Sequence, residues 1–516
     1  MIASRRPRVA PRRRSRPRRT KHQEALRQRR LLAHRPAARV RRRTRRTRAT
    51  PDTPLTRNQR VVAARLAPGQ VDFVTLSTWS FLTPFLAFLE EIRFYALLDL
   101  PGQGFCRVMI PVARLILTYQ LKILLGIGSI NLVPTTLFRE RALLKLIGYS
   151  AVQLQAGCCQ RGDLSNGPMQ KNTLADAVER LTVAELERLL NATATRLASQ
   201  GCFDHSPGCF ALDASTLETT PHYRGVGMTR RSERRVNRKG QVIEVERVLW
   251  GFKVITLYEV HLRLVVAAVV VPINVHESTM TEALVAQAVA NLGPGRVRVL
   301  VMDMGFLDGQ TLWNLATTWD IDCVIPAKET MGITTQARSL CRDTDDGGPL
   351  TQGERAGERR RRRGRRSLAG QVSVVGVSEL RTYTQYGTAA HAKRHNGKAF
   401  VGNALNAVIA TSWQGVPYAP GEEKVFLTTL PVDDPLAVLD RYGLRSLIEN
   451  TAFRELKQGW ALDHFLKRTA AAVRAHVFLT LVTFTLAGTL WVSFRTKIGQ
   501  TVARRGMRRW RAEEEQ

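Results

Sequence analysis

Two aspartates each follow a short apolar run and could share a metal ion. Cys209–Leu212 precedes Asp213, and Arg296–Met302 precedes Asp303. Such runs predict buried strands, and the carboxyl ends of parallel strands meet at the crevice where open α/β sheets place their sites. Carboxylates there are the oxygen ligands that Mg²⁺ prefers. The pattern indicates a site for a divalent cation, although a lone aspartate at a strand end is also typical of turns and helix caps.

A third carboxylate lies in a predicted helix, Asp434–Trp460. On a helix of 3.6 residues per turn, Tyr442, Arg445 and Glu449 fall within about a 60° sector. That face could present a phenol, a guanidinium and a carboxylate to the two aspartates. The alternative is a solvated polar face on which Arg445 and Glu449 form an ordinary i,i+4 ion pair. Spacing alone leaves both open.

The elements around these residues predict an α/β fold. Strands are expected at 250–255, 262–271, 296–302 and 322–326, with a helix over 310–319. Their alternation predicts a largely parallel sheet. Residues 331–424 interrupt the pattern with an Arg-rich stretch, Glu354–Arg366, and short strands at 370–377 and 398–409. We therefore expect a β-rich insertion there, followed by helices over 434–460 and 468–495.

The region before the sheet is predicted to be mostly helical. Residues 173–197 have leucines at helical spacing, and Thr182 with Glu185 forms a capping-box pattern. This region could be a module that binds DNA ends or a helical cap on the following domain. The sequence leaves both possibilities open.

The charge of the chain indicates a polyanionic partner. Its formal net charge is +35, and residues 1–50 hold 21 Lys and Arg against the single acid Glu24. Nucleic acid is the first candidate and an anionic membrane surface is the second. The 20-residue stretch Ala475–Phe494 lacks Lys, Arg, Asp and Glu, so it is either a membrane span or a buried helix. Seven cysteines at irregular spacing favour a reducing cytoplasm.

The ordered motifs resemble one family, the insertion-sequence DDE transposases of the YREK group (the type-four insertion-sequence family). The two Asp motifs match as Leu212-Asp213-Ala-Ser-Thr216 and Met302-Asp303-Met-Gly-Phe306. Between them, the strand after the first Asp matches at Trp250-Gly-Phe-Lys253 and the loop after that strand at Asn274-Val-His-Glu277. The helix with the third carboxylate matches at Tyr442…Arg445…Glu449…Lys457. These blocks run in order from about 207 to 490, which is more specific than any single motif.

The resemblance implies an α/β, RNase-H-like (DDE) catalytic core with a β-rich insertion, an N-terminal helical domain and a disordered basic arm. The expected segments are a disordered arm (1–56), a helical and possibly DNA-binding region (57–204) and the first part of the core (205–330). They are followed by the insertion (331–424), the second part of the core (425–498) and a basic C-terminal tail (499–516).

The resemblance also implies an activity and a site. Asp213, Asp303 and Glu449 would be the catalytic metal ligands for two Mg²⁺ ions, with Mn²⁺ as a substitute. Tyr442, Arg445 and Lys457 would contact DNA phosphates. The implied activity is metal-dependent cleavage at transposon ends and strand transfer into target DNA. The implied partners are double-stranded DNA and, in the DNA complex, a second copy of the chain; no membrane is implied, and the implied location is the bacterial cytoplasm at the nucleoid.

Two departures from the family pattern bear on the DNA contacts. Seven residues separate Glu449 from Lys457, where six are usual, and Met304 stands where many relatives have a basic residue. Neither changes a metal ligand. Two other functions stay open on the sequence: a nonenzymatic DNA-binding protein derived from a transposase, and a membrane-associated protein anchored by Ala475–Phe494.

Overall fold

The computed structural model describes residues 82–102, 105, 109–158, 167–236, 242–342, 350–355, 360–362, 365–367, 372–387, 402–413 and 416–514. The predicted arm, residues 1–56, lies outside them. Contacts divide the chain into two units, one of Met1–Asp72 with Gln103–Pro111 and one of Phe73–Gly102 with Val112–Gln516. Every helix and strand given below belongs to the second unit.

Helices occupy the described residues before the sheet. Six α-helices follow one another: α1 Leu82–Glu91, α2 Val112–Leu124, α3 Arg141–Leu146, α4 Ala151–Ala156, α5 Lys171–Glu179 and α6 Val183–Ser199. The predicted capping box at the start of α6 is present, because the backbone N–H of Glu185 donates to Thr182 and that of Thr182 donates to Glu185. The helical stretch 173–197 is therefore two helices, since the cap begins a new one.

A ten-stranded sheet forms the centre of this unit. The strands of its first half are β1 Cys209–Thr219, β2 Gly227–Val236, β3 Val242–Glu259, β4 Leu264–Pro272, β5 Val299–Met302 and β6 Asp322–Pro326. Helices α7 Thr281–Leu292 and α8 Gly309–Thr318 connect β4 to β5 and β5 to β6. The order runs β2-β3-β1-β5-β6. Strand β2 pairs with residues 242–251 of β3, and β4 pairs with residues 252–259 of β3.

The prediction of a largely parallel sheet is wrong. Only the pairs β1–β5 and β5–β6 are parallel, while β1–β3, β2–β3 and β3–β4 are antiparallel. The physical reason is the length of the connections. A parallel pair needs a crossover of a dozen or more residues, which the segments containing α7 and α8 supply, whereas only five residues separate β2 from β3 and four separate β3 from β4.

The strands of the segment 331–424 continue the same sheet. After α9 Gly332–Arg342, strands β7 Leu350–Arg355, β10 Val372–Leu380, β11 Leu405–Ala410 and β14 Lys424–Thr428 pair antiparallel in the order β14-β11-β10-β7, with β14 beside β6. Four short strands form two separate ribbons: β8 Arg360–Arg362 with β9 Arg365–Ser367, and β12 Ser412–Trp413 with β13 Val416–Pro417. The predicted domain boundaries remain predictions.

The helix predicted over 434–460 is interrupted. Helix α10, Pro435–Gly443, ends early, a π-helix spans Ile448–Phe453, and α11 continues from Arg454 to Gln458. Backbone N–H groups of residues 444, 445, 447 and 448 bond three residues back, so a tight turn separates α10 from the π-helix. The prediction of one regular helix is therefore wrong, and this break sets the direction of Glu449.

The apolar C-terminal stretch lies in the interior of the second unit. It belongs to α12, Ala470–Glu514, which extends well past the predicted end at 495. The helix packs against α2, α6 and β4. Ala470–Ser493 is long and apolar enough to cross a membrane, but 83% of its most apolar window is buried inside the protein. This burial favours the buried-helix interpretation of Ala475–Phe494.

Candidate active site

The parallel pairing of β1 and β5 brings the two aspartates side by side. Leu212 on β1 pairs with Met302, the last residue of β5. Asp213 and Asp303 are the next residues of the two strands and therefore neighbours. The expectation that both follow strand ends holds only for Asp303, since β1 runs on to Thr219 beside β3. Asp213 lies where its parallel neighbour stops, which opens the sheet beside it.

The Asp213 carboxylate is buried and has two partners. Only 5% of the residue is exposed. One carboxylate oxygen accepts from the N–H of Ala214 at 2.7 Å, and the other is 3.0 Å from Nη1 of Arg445. Burial raises the pKa of Asp213 to about 7, against the lowering effects of the Ala214 N–H and the Arg445 charge, and the charges of Glu449 and Asp303 raise it further. The three carboxyl groups are thus electrostatically coupled.

Arg445 links the third carboxylate to the first. Its Nη1 contacts Asp213, and its Nη2 lies 3.3 Å from Oε2 of Glu449. The Arg445 side chain is 15% exposed and that of Glu449 is 56% exposed, so the guanidinium is inside the site and the glutamate is at its rim. The i,i+4 pair considered from spacing is present, and it is part of a bridge between two candidate ligands.

Tyr442 packs between Arg445 and a ring on the sheet. Its ring lies 4.7 Å from the ring of Phe426 on β14, measured between centroids, and Cζ of Arg445 lies 5.9 Å from the Tyr442 centroid. Burial raises the pKa of Tyr442, so its hydroxyl stays protonated at neutral pH and can donate to an anion. Tyr442, Arg445 and Glu449 therefore remain neighbours although the helix between them is broken.

Lys457 also reaches β1. Its Nζ donates to the carbonyl oxygen of Thr216 at 2.9 Å, three residues beyond Asp213, and burial lowers its pKa. In a regular α-helix an offset of eight residues would rotate Lys457 by about 80° from Glu449, whereas seven residues leave about 20°. The π-helix Ile448–Phe453 holds one additional residue in its wider turn. It therefore absorbs the extra residue, and Lys457 still reaches β1 while Glu449 contacts Arg445.

A second ion pair supports the turn that follows Asp303. Nζ of Lys253 on β3 lies 2.8 Å from Oε1 of Glu277 and donates to the carbonyl of Val275 at 3.1 Å. A Cβ on Gly305 would lie 3.0 Å from the other Glu277 oxygen, so the turn and the Glu277 carboxylate lie close together. Lys253 and Glu277 both lie in the sequence blocks that resemble the family. Their spacing offered no signal of the contact.

The chemistry of the three carboxylates fits a divalent cation. All supply hard oxygen donors, which Mg²⁺ and Mn²⁺ take as ligands. Within the described part of the chain, no three His, Cys, Asp or Glu side chains are already grouped around one point. Arg445 supplies the positive charge between Asp213 and Glu449. Joint coordination of a cation by all three therefore requires the guanidinium to move out.

Together, the sheet and the site define an α/β protein with a three-carboxylate centre, built by two adjacent strands and a helical segment near the C-terminus. The family model for the transposase DDE domain matches residues 204–486, more than half of the chain. The chain belongs to this family and is a DDE transposase.

Other comparisons give weaker matches. The piggyBac transposase in a cryo-EM structure of its synaptic complex with hairpin DNA is similar at 10% sequence identity and a TM-score of 0.35. That match covers 80% of this chain and 76% of the other. No curated protein sequence matches significantly.

Proposed function

We propose that this chain is a cut-and-paste DNA transposase of the YREK group. It cleaves DNA at transposon ends and transfers the freed ends into target DNA. The observation that supports this most is the register of β1 and β5, which makes Asp213 and Asp303 neighbours within the family-matched residues. Arg445 contacts both Asp213 and Glu449 and so links the third carboxylate to the first. In this proposal the core is RNase-H-like, and the order β4-β3-β1-β5-β6 supports that assignment.

Asp213, Asp303 and Glu449 are the metal ligands in this proposal. They would hold two Mg²⁺ ions, or Mn²⁺ in their place, and the ions would activate the attacking oxygen and stabilise the leaving one. The backbones of the three residues belong to a strand, the end of a strand and the π-helix. Asp213 must lose its proton to act as a ligand, and its pKa of about 7 makes this step sensitive to pH near neutrality.

The basic and phenolic side chains are proposed to bind the phosphate. Arg445 contacts Asp213 and Glu449, and with a cation held by those carboxylates its fork of N–H donors would be available to a phosphate oxygen pair. Tyr442 donates from its protonated hydroxyl, and Lys457 contributes a charge on the same side of the helical segment. These contacts position the backbone and carry no sequence information.

The proposed reaction has four chemical steps. Water attacks a phosphodiester at the transposon end and releases a 3′-hydroxyl, which attacks the opposite strand, makes a hairpin and displaces the 3′-hydroxyl of the flanking DNA. A second water hydrolyses the hairpin and regenerates the 3′-hydroxyl of the transposon end. That hydroxyl then attacks a target phosphodiester and displaces a 3′-hydroxyl of the target strand. Positioning and charge neutralisation supply most of the catalysis in phosphoryl transfer, which suits a site with no covalent nucleophile.

The proposed partners and location follow from charge and burial. Double-stranded DNA is the partner that a net charge of +35 favours, and a dimer is proposed for the DNA complex. The buried state of the apolar helix supports a role without a membrane. We place the protein in the bacterial cytoplasm, at the nucleoid.

The test is metal-dependent cutting by an Asp303→Asn variant. The substrate is duplex DNA carrying the sequences that flank the gene, incubated with the full chain in Mg²⁺ or in EDTA. Wild type is expected to cut only with Mg²⁺, and Asp303→Asn to lose cutting while still binding DNA. Asp320→Asn is the matched control, because Asp320 is exposed and has a φ of 53° that asparagine tolerates.

Two results would contradict the proposal. One is cutting by Asp303→Asn at the wild-type rate. The other is DNA binding by wild type without cutting in any divalent metal, which would favour a nonenzymatic DNA-binding protein instead.

A further inference from the structure

A buried tyrosine and a buried histidine connect helix α2 to helix α12. Tyr119 on α2 and His476 on α12 are both 0% exposed, and the Tyr119 hydroxyl lies 2.7 Å from Nδ1 of His476. The other ring nitrogen of His476, Nε2, lies 2.8 Å from the carbonyl oxygen of Ala461. The three residues therefore form a chain of hydrogen bonds that joins α2, α12 and the loop after α11.

The direction of each hydrogen bond follows from the carbonyl at one end of the chain. A carbonyl oxygen can only accept, so Nε2 of His476 carries a proton and donates it to Ala461. Burial, together with the nearby charge of Lys122, lowers the pKa of His476 to about 3, so the ring is neutral and Nδ1 has no proton. The Tyr119 hydroxyl therefore donates to Nδ1, and this bond fixes the ring in the tautomer that donates to Ala461.

The backbone of Ala461 has a conformation that costs free energy. Its φ is 53°, in the left-handed region that residues with a Cβ seldom adopt. Such a conformation persists where surrounding contacts hold it. The Ala461 carbonyl accepts from the backbone N–H of His464 within the loop and from the His476 ring on α12. The bond from His476 is thus the one that fixes this carbonyl to another helix.

The loop at Ala461 determines how α11 ends. The N–H of Leu462 donates to the carbonyl of Leu456 at 3.0 Å, and this bond closes the chain around Ala461. Lys457 follows Leu456 directly, and its Nζ donates to the Thr216 carbonyl on β1. A change in the conformation of Ala461 would therefore displace the end of α11 and shift the Lys457 side chain along β1.

We propose that Tyr119 and His476 are positioning residues for Lys457, and that they act by holding Ala461 in its left-handed conformation. Helix α2, from the region before the sheet, thereby helps to place a side chain that is proposed to bind the DNA phosphate. The role of Lys457 rests on the proposed function. The effect of the hydrogen-bond chain on the end of α11 does not, so the two can be tested separately.

The experiment removes the Tyr119 hydroxyl and follows both the loop and the reaction. In Tyr119→Phe the ring stays, and the His476 proton can move to Nδ1, which leaves Ala461 without that donor. Hydrogen–deuterium exchange of the full chain in EDTA, followed by mass spectrometry, is expected to become about tenfold faster at the Leu462 amide, as the loss of one buried hydrogen bond allows.

The reaction is measured as single-turnover cutting of a saturating duplex that carries the sequences flanking the gene, with Mg²⁺. The rate for Tyr119→Phe is expected to fall about tenfold, again the effect of one hydrogen bond. Affinity for the duplex in EDTA should change by less than about twofold, because many other phosphate contacts set it. A loss of rate at saturation with little loss of affinity is the result expected of a misplaced Lys457.

Two further variants separate positioning from a loss of stability. Glycine adopts the left-handed conformation at little cost, so Ala461→Gly combined with Tyr119→Phe should restore slow exchange and most of the cutting rate. Tyr149→Phe is the matched control, because its hydroxyl is also buried and lies 3.0 Å from Oγ1 of Thr118 on α2. It should lower the thermal unfolding temperature about as much as Tyr119→Phe, with exchange at Leu462 and cutting unchanged.

Three results would overturn the proposal. The first is exchange at Leu462 and cutting that are the same in Tyr119→Phe and Tyr149→Phe. The second is faster exchange in Tyr119→Phe with cutting at the wild-type rate, since Lys457 would then be placed without this chain. The third is a failure of Ala461→Gly to restore the exchange and the rate. A wild-type chain that cuts no DNA contradicts the proposed function instead, and exchange then decides whether the chain of hydrogen bonds holds the loop.

Discussion

At the scale of single residues, Asp213 is the group whose chemistry the fold changes most. Its pKa of about 7 compares with an ordinary value of 3.8, and burial is the main cause. A carboxyl group whose pKa is raised on folding stabilises the protein fully below its unfolded pKa. That contribution is lost as the pH rises through the folded value. The site therefore lowers the free energy of unfolding at neutral and alkaline pH, where the proposed cation would bind.

We predict that Asp213→Asn stabilises the protein at pH 8 and not at pH 4. Asparagine keeps the shape of the protonated acid and never ionises, so the variant avoids the cost of a buried charge. The gain at pH 8 is expected to be on the order of 4 kcal/mol, since each pKa unit corresponds to about 1.4 kcal/mol, and to vanish towards pH 4. Chemical denaturation in EDTA at the two pH values measures it. An equal difference at both pH values would contradict the assigned cause.

At the scale of elements, the π-helix sets the geometry of the third carboxylate. Ile448, Ala452 and Phe453 are its buried residues, and it packs on β1. Its wide turn lets Lys457 reach Thr216 of β1 and Glu449 reach Arg445 in spite of the additional residue between them. π-turns inside helices are frequent at functional sites, and this one explains a spacing that the sequence alone made irregular.

We predict that deleting Asn450 preserves the site, whereas deleting Glu455 does not. Loss of the exposed Asn450 converts the wide turn to a regular one and leaves Lys457 about 20° from Glu449. Loss of Glu455 shortens the spacing equally but turns the buried Leu456 and Lys457 by about 100°. Thermal unfolding and DNA cutting by both variants measure the difference. Equal behaviour would show that the π-turn does not hold the additional residue.

Some of these elements could be predicted from sequence and others could not. The run before Asp303, the capping box of α6 and the return of helical periodicity after residue 424 are local patterns, and each corresponds to an observed element. The antiparallel pairing of β1 with β3 and the break after Gly443 depend on contacts distant in the sequence. The Arg445 bridge and the Lys253–Glu277 pair depend on them too, so periodicity could not indicate them.

At the scale of the whole molecule, the topology gathers the site from three distant stretches of chain. Asp213 comes from the first strand of the sheet, Asp303 follows the crossover through α7, and Glu449 arrives after the sheet is complete. The insertion strands lie beyond β6 in the same sheet, so the long segment between Asp303 and Glu449 leaves the centre in place. The carboxylates therefore belong to one unit and should act together.

The most direct test of this account is the cutting rate of Glu449→Gln alone and combined with Asp303→Asn. Ligands of one metal site act as a unit, so each single change should abolish Mg²⁺-dependent cutting, and the double variant should be no worse than either. Glu455→Gln, an exposed residue of α11, is the control and should cut normally. Single-turnover cleavage of an end-bearing duplex measures the rates. Cutting by Glu449→Gln at the rate of the control would contradict the three-carboxylate site.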